Sequence, residues 1–208
     1  ARQGPTAFFD LMNAGKEGVA LDLARDDGCA ALRALVERAD VVLESARPRA
    51  LEQLGIDAER WVAARPGRVW GSITGYGRKP PNGSWVAFGD DAGVSAGLWA
   101  GPATARAFVG DAIADPVTGA HAALAIVAAL RSGGGELIDA SLSDGIRAAL
   151  LGAPPAPVRA VAPGPDIARP SARSVQRPGP ALGADTDRVL AEIGSPAAHR
   201  PRILPEPA

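Results

Sequence analysis

The sequence predicts an α/β fold: an open, mostly parallel sheet with flanking helices, followed by an extended Pro/Ala-rich C-terminal tail. Three observations carry this. Short strand-like runs recur at Val19–Leu23, Asp40–Glu44, Val69–Ile73 and Glu136–Ala140. Segments with helical spacing stand between them, and such alternation argues for parallel strands joined by helical crossovers. Hydrophobic residues at 47% with charged residues at 22% give a globular composition. A chain of 208 residues suits one domain of ordinary size, or two.

The elements follow in order. Asp26-Asp27 opens a helix, with Ala31, Leu32, Leu35 and Val36 at helical spacing and Arg38 in the last turn. Residues 57–65 form a second helix, stopped by Pro66. Residues 74–89 are rich in Gly and Pro and read as loop; a helix follows over 90–99. A longer helix runs from about 115 to 131, where Ala114-Asp115-Pro116 places proline in the first turn, tolerant of its missing N–H. Gly133-Gly134-Gly135 ends it, and Ser141 caps a further helix to about Leu150. Residues 153–177 read as a Pro/Ala-rich linker, and 178–208 as a C-terminal segment with a short helix near Asp185–Ile193. Residues 1–152 then read as the folded domain.

Composition excludes several function classes. Lys+Arg 22 against Asp+Glu 23 leaves a net charge of −1 and a pI of about 6.2. A dedicated nucleic-acid binder carries a basic excess, so no nucleic-acid partner is expected. Cys29 is the one cysteine, which excludes an internal disulfide and a cysteine-only metal site. His121 and His199 lie far apart, and no metal site is expected. No secretory leader pattern is seen, and Pro116–Leu130 is too short to span a bilayer, so a cytoplasmic protein is expected. GxGxxG, P-loop and HExxH patterns are missing. The chain opens at Ala1 in what reads as mid-domain, and the expectation is of a fragment or a processed piece.

The most informative stretch is Gly110–His121, where Asp115 heads a long apolar helix. The helix dipole stabilises such an anion by about 0.3–1 kcal/mol. A plain helix cap is one reading. A nucleophilic carboxylate aimed at an activated acyl or phosphoryl group is the other. Ser45-Ala46-Arg47 and Thr74-Gly75-Tyr76-Gly77 follow predicted strands, at the carboxyl ends where open α/β sheets bind ligands. Asn13, Gly15 and Lys16 precede the first predicted strand, and lysine is a compact phosphate donor. Tyr76 reads as a stacking partner for a base or as an ordinary loop aromatic.

Taken in order, these segments resemble the class III CoA-transferases, which include formyl-CoA transferase, carnitine-CoA transferase and the 2-methylacyl-CoA racemases. The matching runs are Phe9–Lys16, Val19–Leu23, Ala39–Ser45, Leu51–Gly55, Ile73–Gly77 and Ala114–Gly119, with Pro180–Thr186 and Val189-Leu190 near the end. The resemblance implies a Rossmann-like large domain lacking its first βα unit and most of the small domain. It implies CoA transfer between an acyl-CoA and a carboxylic acid through an aspartyl-CoA intermediate on Asp115. It implies a CoA site at Asn13, Gly15, Lys16, Ser45, Ala46, Arg47, Thr74, Gly75, Tyr76 and Gly77, with Lys16 and Arg47 on CoA phosphates. No permanent cofactor is implied: coenzyme A arrives as substrate, and the partner is a second copy or a missing half. Ser45 and Gln53 depart from the Asn and Arg of formyl-CoA transferases, and Asp185 from the His of the family's C-terminal motif. Gly89 stands where racemases carry a catalytic His, which favours transferase over racemase. A dependent, non-catalytic half of a larger transferase is the alternative.

Overall fold

The computed structural model describes residues 5–46, 48–102, 104–151 and 177–194. The chain divides into two compact units, residues 39–160 and residues 1–38 with 161–208. This boundary at 38/39 falls inside the 1–152 span read as one domain from the sequence. The linker reading of 153–177 falls almost wholly on residues outside those described.

The unit 39–160 holds the sheet. Strands β1 (Val41–Glu44), β2 (Val69–Thr74) and β5 (Glu136–Ser141) are parallel, in the order β1-β2-β5. The register pairs Glu44 with Ser72 and Thr74 with Ser141, so all three strands end on the same edge. Flanking helices are α3 (Pro48–Gln53), α4 (Ala58–Ala64), α5 (Gly89–Ser95), α6 (Ala114–Arg131) and α7 (Leu142–Leu151). A small antiparallel pair, β3 (Trp99-Ala100) and β4 (Ala107-Phe108), lies between α5 and α6. The α/β architecture with a parallel sheet is therefore as expected.

Strand alternation explains the two faces of the sheet. Trp70 meets Trp61 of α4 edge-to-face, with centroids 5.4 Å apart, and Arg68 lies over Trp61 at 4.4 Å. The next residue, Gly71, points the other way. A Cβ there would stand 2.8 Å from Ile126 Cδ1, so the Ile126 side chain of α6 packs directly against the Gly71 backbone of β2. Beyond Gly71 on that face, Ile73 joins a core of Ala92, Ala114, Leu142 and Ile146 built by α5, α6 and α7.

Several predicted elements appear within a residue or two. Asp57 caps α4 by accepting the Arg60 N–H at 2.9 Å, and Ser141 Oγ accepts the Asp144 N–H at 3.1 Å. The 90–99 helix is shorter than expected, because α5 ends at Ser95 and Trp99-Ala100 turns into β3.

The other unit corrects one expectation. Residues 19–23 form no strand: 19–22 have no regular structure and Leu23 begins a turn. Two donors at the start of this stretch are answered by side chains: Gly18 N–H, just before it, by Asp185 Oδ2 at 2.8 Å, and Ala20 N–H by Thr186 Oγ1 at 3.0 Å. This segment lies beside helices α1 (Thr6–Asn13), α2 (Asp26–Arg38) and α8 (Thr186–Glu192) in the unit, where Ala31 and Leu190 form a small core with Leu21 and Ile193. Asp185 also pairs with Arg188 at 3.1 Å. The Gly18 amide first, and Arg188 second, hold its carboxyl below the usual carboxylate range.

At the sheet's carboxyl edge, Glu44 Oε1 accepts Trp70 Nε1–H at 3.1 Å and Ser72 Oγ–H at 2.9 Å, and pairs with Arg78 Nη1. The side chains of Arg78 and Glu44 are only 9% and 4% exposed. Glu44→Gln leaves Arg78 facing the solvent-exposed Glu59 at 3.7 Å in place of a buried partner, so it is expected to cost up to about 3 kcal/mol in urea denaturation. A Glu44→Gln/Arg78→Met chain should recover most of that loss, since no buried charge is then left and Gln Oε1 still accepts from Trp70 and Ser72. Equal or greater loss in the double variant would contradict this account.

Candidate active site

The strand ends and the loops that leave them enclose a cleft of about 250 Å³ in the unit 39–160. Ser45 and Ala46 follow β1, and Thr74, Gly75 and Gly77 close β2. Leu142 opens α7, and Asp115 enters from the first turn of α6. The rest of the wall comes from residues 83–88, notably Trp85, Val86 and Phe88. Trp85 and Phe88 are 57% and 69% exposed, so they form an apolar rim open to solvent.

The wall after β2 is rigid for identifiable reasons. Thr74 Oγ1 accepts the Gly77 N–H at 2.9 Å and donates to Asp139 Oδ1 at 3.2 Å. The Arg78 N–H donates to Asp139 Oδ2 at 2.8 Å. Gly75 carries no Cβ because one would lie 2.8 Å from the Ala87 Cβ. The two sides of the loop can therefore touch.

Asp115 is presented by an unusual turn. Ala112 has φ of +48°, in the left-handed region that costs an L-residue about 1–2 kcal/mol. Its amide donates to Asp90 Oδ1 at 2.8 Å, and its carbonyl accepts the Asp115 N–H at 2.9 Å. Beside it, Gly89 is buried, and a Cβ on it would lie 2.6 Å from the Ala112 oxygen. No side chain fits there without moving the turn.

The Asp115 residue is exposed at the cleft, yet partial desolvation of its carboxyl, and secondarily the Asp90 charge, push its pKa above the ordinary value. The anion is thus available but not over-stabilised. Backbone donors at this helix start are fewer than its sequence suggests: the Asp115 N–H is taken by Ala112, and Pro116 has none.

The sequence-expected residues fall into four sets. Ser45, Ala46, Thr74, Gly75, Gly77 and Asp115 line the one cleft. Tyr76 packs edge-on against Trp85, with centroids 5.7 Å apart. Asn13, Gly15 and Lys16 belong to the other unit: Asn13 Nδ2 donates to the Phe9 carbonyl at 3.0 Å, and Gly15 has φ of +80°. Arg47 lies outside the described residues. Sequence reasoning missed the Trp85–Phe88 rim and Asp90. The run Trp85-Val86-Ala87-Phe88 before Gly89 was the available signal for the rim.

The chain matches CoA-transferase family III over residues 1–176. The chain belongs to that family. It is 34% identical over 152 residues to succinate–glutarate CoA-transferase of Agrobacterium fabrum, covering 70% of this chain and 38% of that protein. It is 29% identical over 153 residues to succinyl-CoA–D-citramalate CoA-transferase of Chloroflexus aurantiacus, with the same coverage. Among solved structures, a CAIB/BAIF family protein from Brucella suis superposes with a TM-score of 0.61 at 30% identity. That match covers 69% of this chain and 40% of the other. The chain thus spans about two fifths of the length of these CoA-transferase family relatives. Among the described residues no helix is long and apolar enough to cross a membrane.

The raised pKa of Asp115 sets a sign for stability. Its ionised form is less favoured in the fold than in the unfolded chain, so this contribution is fully favourable below the unfolded pKa. It is lost as pH rises through the folded value. Asp115→Asn is expected to raise the melting temperature at pH 7, by a solvent-screened gain of roughly 0.5 kcal/mol or less. The gain should fade below about pH 4, where wild type is also neutral. A variant less stable than wild type at pH 7 would contradict the assignment.

Proposed function

We propose that the chain carries the nucleophile of a CoA-transferase, with Asp115 as its catalytic residue. The observation that carries this reading is a carboxylate in the first turn of α6, opening on a cleft formed by the loops after β1 and β2. The names of the relatives support CoA transfer between acids. The Asp115 carboxylate attacks the thioester carbonyl of an acyl-CoA and expels CoA thiolate, leaving a mixed anhydride. The thiolate then attacks the Asp115 carbonyl, releasing the donor acid and forming an aspartyl-CoA thioester. An acceptor carboxylate attacks that thioester, and the thiolate returns to the acceptor's carbonyl, freeing Asp115. Covalent catalysis divides one difficult exchange into easier steps.

Coenzyme A is a substrate here, with no permanent cofactor. Ser45, Ala46, Thr74, Gly75, Tyr76 and Gly77 are proposed to contact it, and Asn13, Gly15, Lys16 and Arg47 to complete the site. Lys16 and Arg47 suit its phosphates, arginine bidentately. We assign 1–152 to the family's Rossmann-like large domain, 153–177 to a linker and 178–208 to its C-terminal segment. A cytoplasmic protein working as a homodimer, or joined to a further part, completes this proposal. A second reading is favoured by the two-fifths coverage of relatives: the chain supports catalysis only together with that further part.

Intact-mass spectrometry after mixing with acyl-CoAs, with hydroxylamine trapping, tests the assignment. Wild type should gain a CoA-sized or hydroxamate adduct, and Asp115→Ala should reduce it by at least about a hundredfold, since a lost nucleophile has no substitute. An adduct that survives Asp115→Ala sinks the catalytic role of Asp115. No adduct with a folded wild-type chain favours the second reading.

A further inference from the structure

Asp115 does not set its own position; the turn before it does. That turn is held from α5 on two sides. Gly89 leaves room for the Ala112 peptide, and Asp90 Oδ1 takes the Ala112 amide hydrogen at 2.8 Å. The bonded amide belongs to a residue in the left-handed region, where alanine does not stay without support. The carbonyl of the same residue accepts the Asp115 N–H at 2.9 Å. One residue therefore passes the hold of α5 to the carboxylate-bearing turn of α6. The base of this hold is itself fixed: Asp91 Oδ2 accepts the Phe88 N–H at 3.2 Å, and Gly89 and Ala92 are buried beside Ala114 in the α5–α6–α7 core.

We infer that Asp90 is a positioning residue for Asp115, acting through its hydrogen bond to the strained Ala112 turn. The inference rests on the reading of Asp115 as nucleophile. Asp90 does not touch the reacting atoms in this role. Its charge opposes the ionised form of Asp115, so the useful feature of the side chain is its acceptor oxygen and not its anion. Asparagine retains that acceptor without the charge. Glutamate keeps the charge but displaces the acceptor by one methylene. The two substitutions therefore separate position from electrostatics.

The test compares the rate of Asp115 adduct formation in D90N, D90E and D90A, in the full chain, with melting temperatures measured alongside. Misplacing a reacting group by about 1 Å costs up to roughly a hundredfold, so D90E and D90A should slow the adduct by about ten- to a hundredfold. D90N should remain within about threefold of wild type, a change that small corresponding to no lost contact. Ala112→Gly added to D90A should restore part of the rate, because glycine adopts the left-handed turn unaided. Backbone amide NMR shifts of Ala112 and Asp115 should move in D90E and D90A and stay in D90N. D90A at the wild-type rate, or D90N as slow as D90E, would overturn the inference. A wild-type chain without adduct would instead sink the nucleophile reading. The amide shifts then decide the positioning by themselves: shifts unmoved in D90E overturn it, and shifts moved in D90E but not in D90N support it.

Discussion

A single buried carboxylate organises the edge of the sheet on which everything functional is built. Glu44 ends β1, yet Oε1 bonds Trp70 and Ser72 of β2 and Arg78 beyond it. Arg78 in turn donates its backbone N–H to Asp139 of β5. Three strand ends and the loop after β2 are thereby fixed to one another. The network is not a pure gain in stability, because Glu44 Oε2 is buried without a hydrogen-bond partner among the described residues. A partly satisfied buried network costs free energy relative to apolar packing. What it supplies is geometry: the 74–78 loop has one place to go, and that place is a wall of the cleft.

The opposite wall is set by close approach. At Gly145, a Cβ would stand 2.5 Å from Thr118 Oγ1, so α7 meets α6 one turn beyond Asp115 only because glycine is there. At the other end of that turn, Ala112 rests against Gly89. Asp115 thus lies between two glycine contacts. The Gly89 contact is to the Ala112 backbone and the Gly145 contact to the Thr118 side chain, so both sides of the helix start are closely packed. Close support of this kind suits the nucleophilic role proposed for Asp115, since reactivity falls steeply with misplacement.

Much of this fold was legible in the sequence, and the exceptions have physical causes. β1, β2 and β5 were readable because their short β-rich runs end in turn residues. α6 was readable because Asp115-Pro116 and Gly133–Gly135 mark its two ends. The stretch 19–23 looks like these strands but is not one: Thr186 takes the Ala20 amide and Asp185 the Gly18 amide just before it, from more than 160 residues away. No local pattern carries that information. α3 was hidden behind Pro48, and β3–β4 are too short to show alternation. The site divides in the same way. Asp115, Ser45 and the 74–77 loop follow from general rules about helix starts and strand ends. Asp90 does not, since Asp90-Asp91 reads as an ordinary helix opening and its partner is an amide 22 residues on.

The electrostatics of Asp115 are a balance rather than a single push. A helix N-terminus favours an anion in its first turn. Desolvation at the cleft wall and the neighbouring Asp90 disfavour it, and these prevail, because the carboxyl titrates above its ordinary value. Helix field alone would yield a stable anion with weak affinity for an acyl carbon. Burial alone would yield a protonated acid with no nucleophile. At the mouth of an open cleft, with one acidic neighbour committed to a backbone amide, the group stays ionisable while losing part of the water that would quiet it. That compromise involves the Ala112 turn, whose amide holds Asp90 beside Asp115, where its charge raises the Asp115 pKa. The feature that weakens the anion is thus the one proposed to aim it.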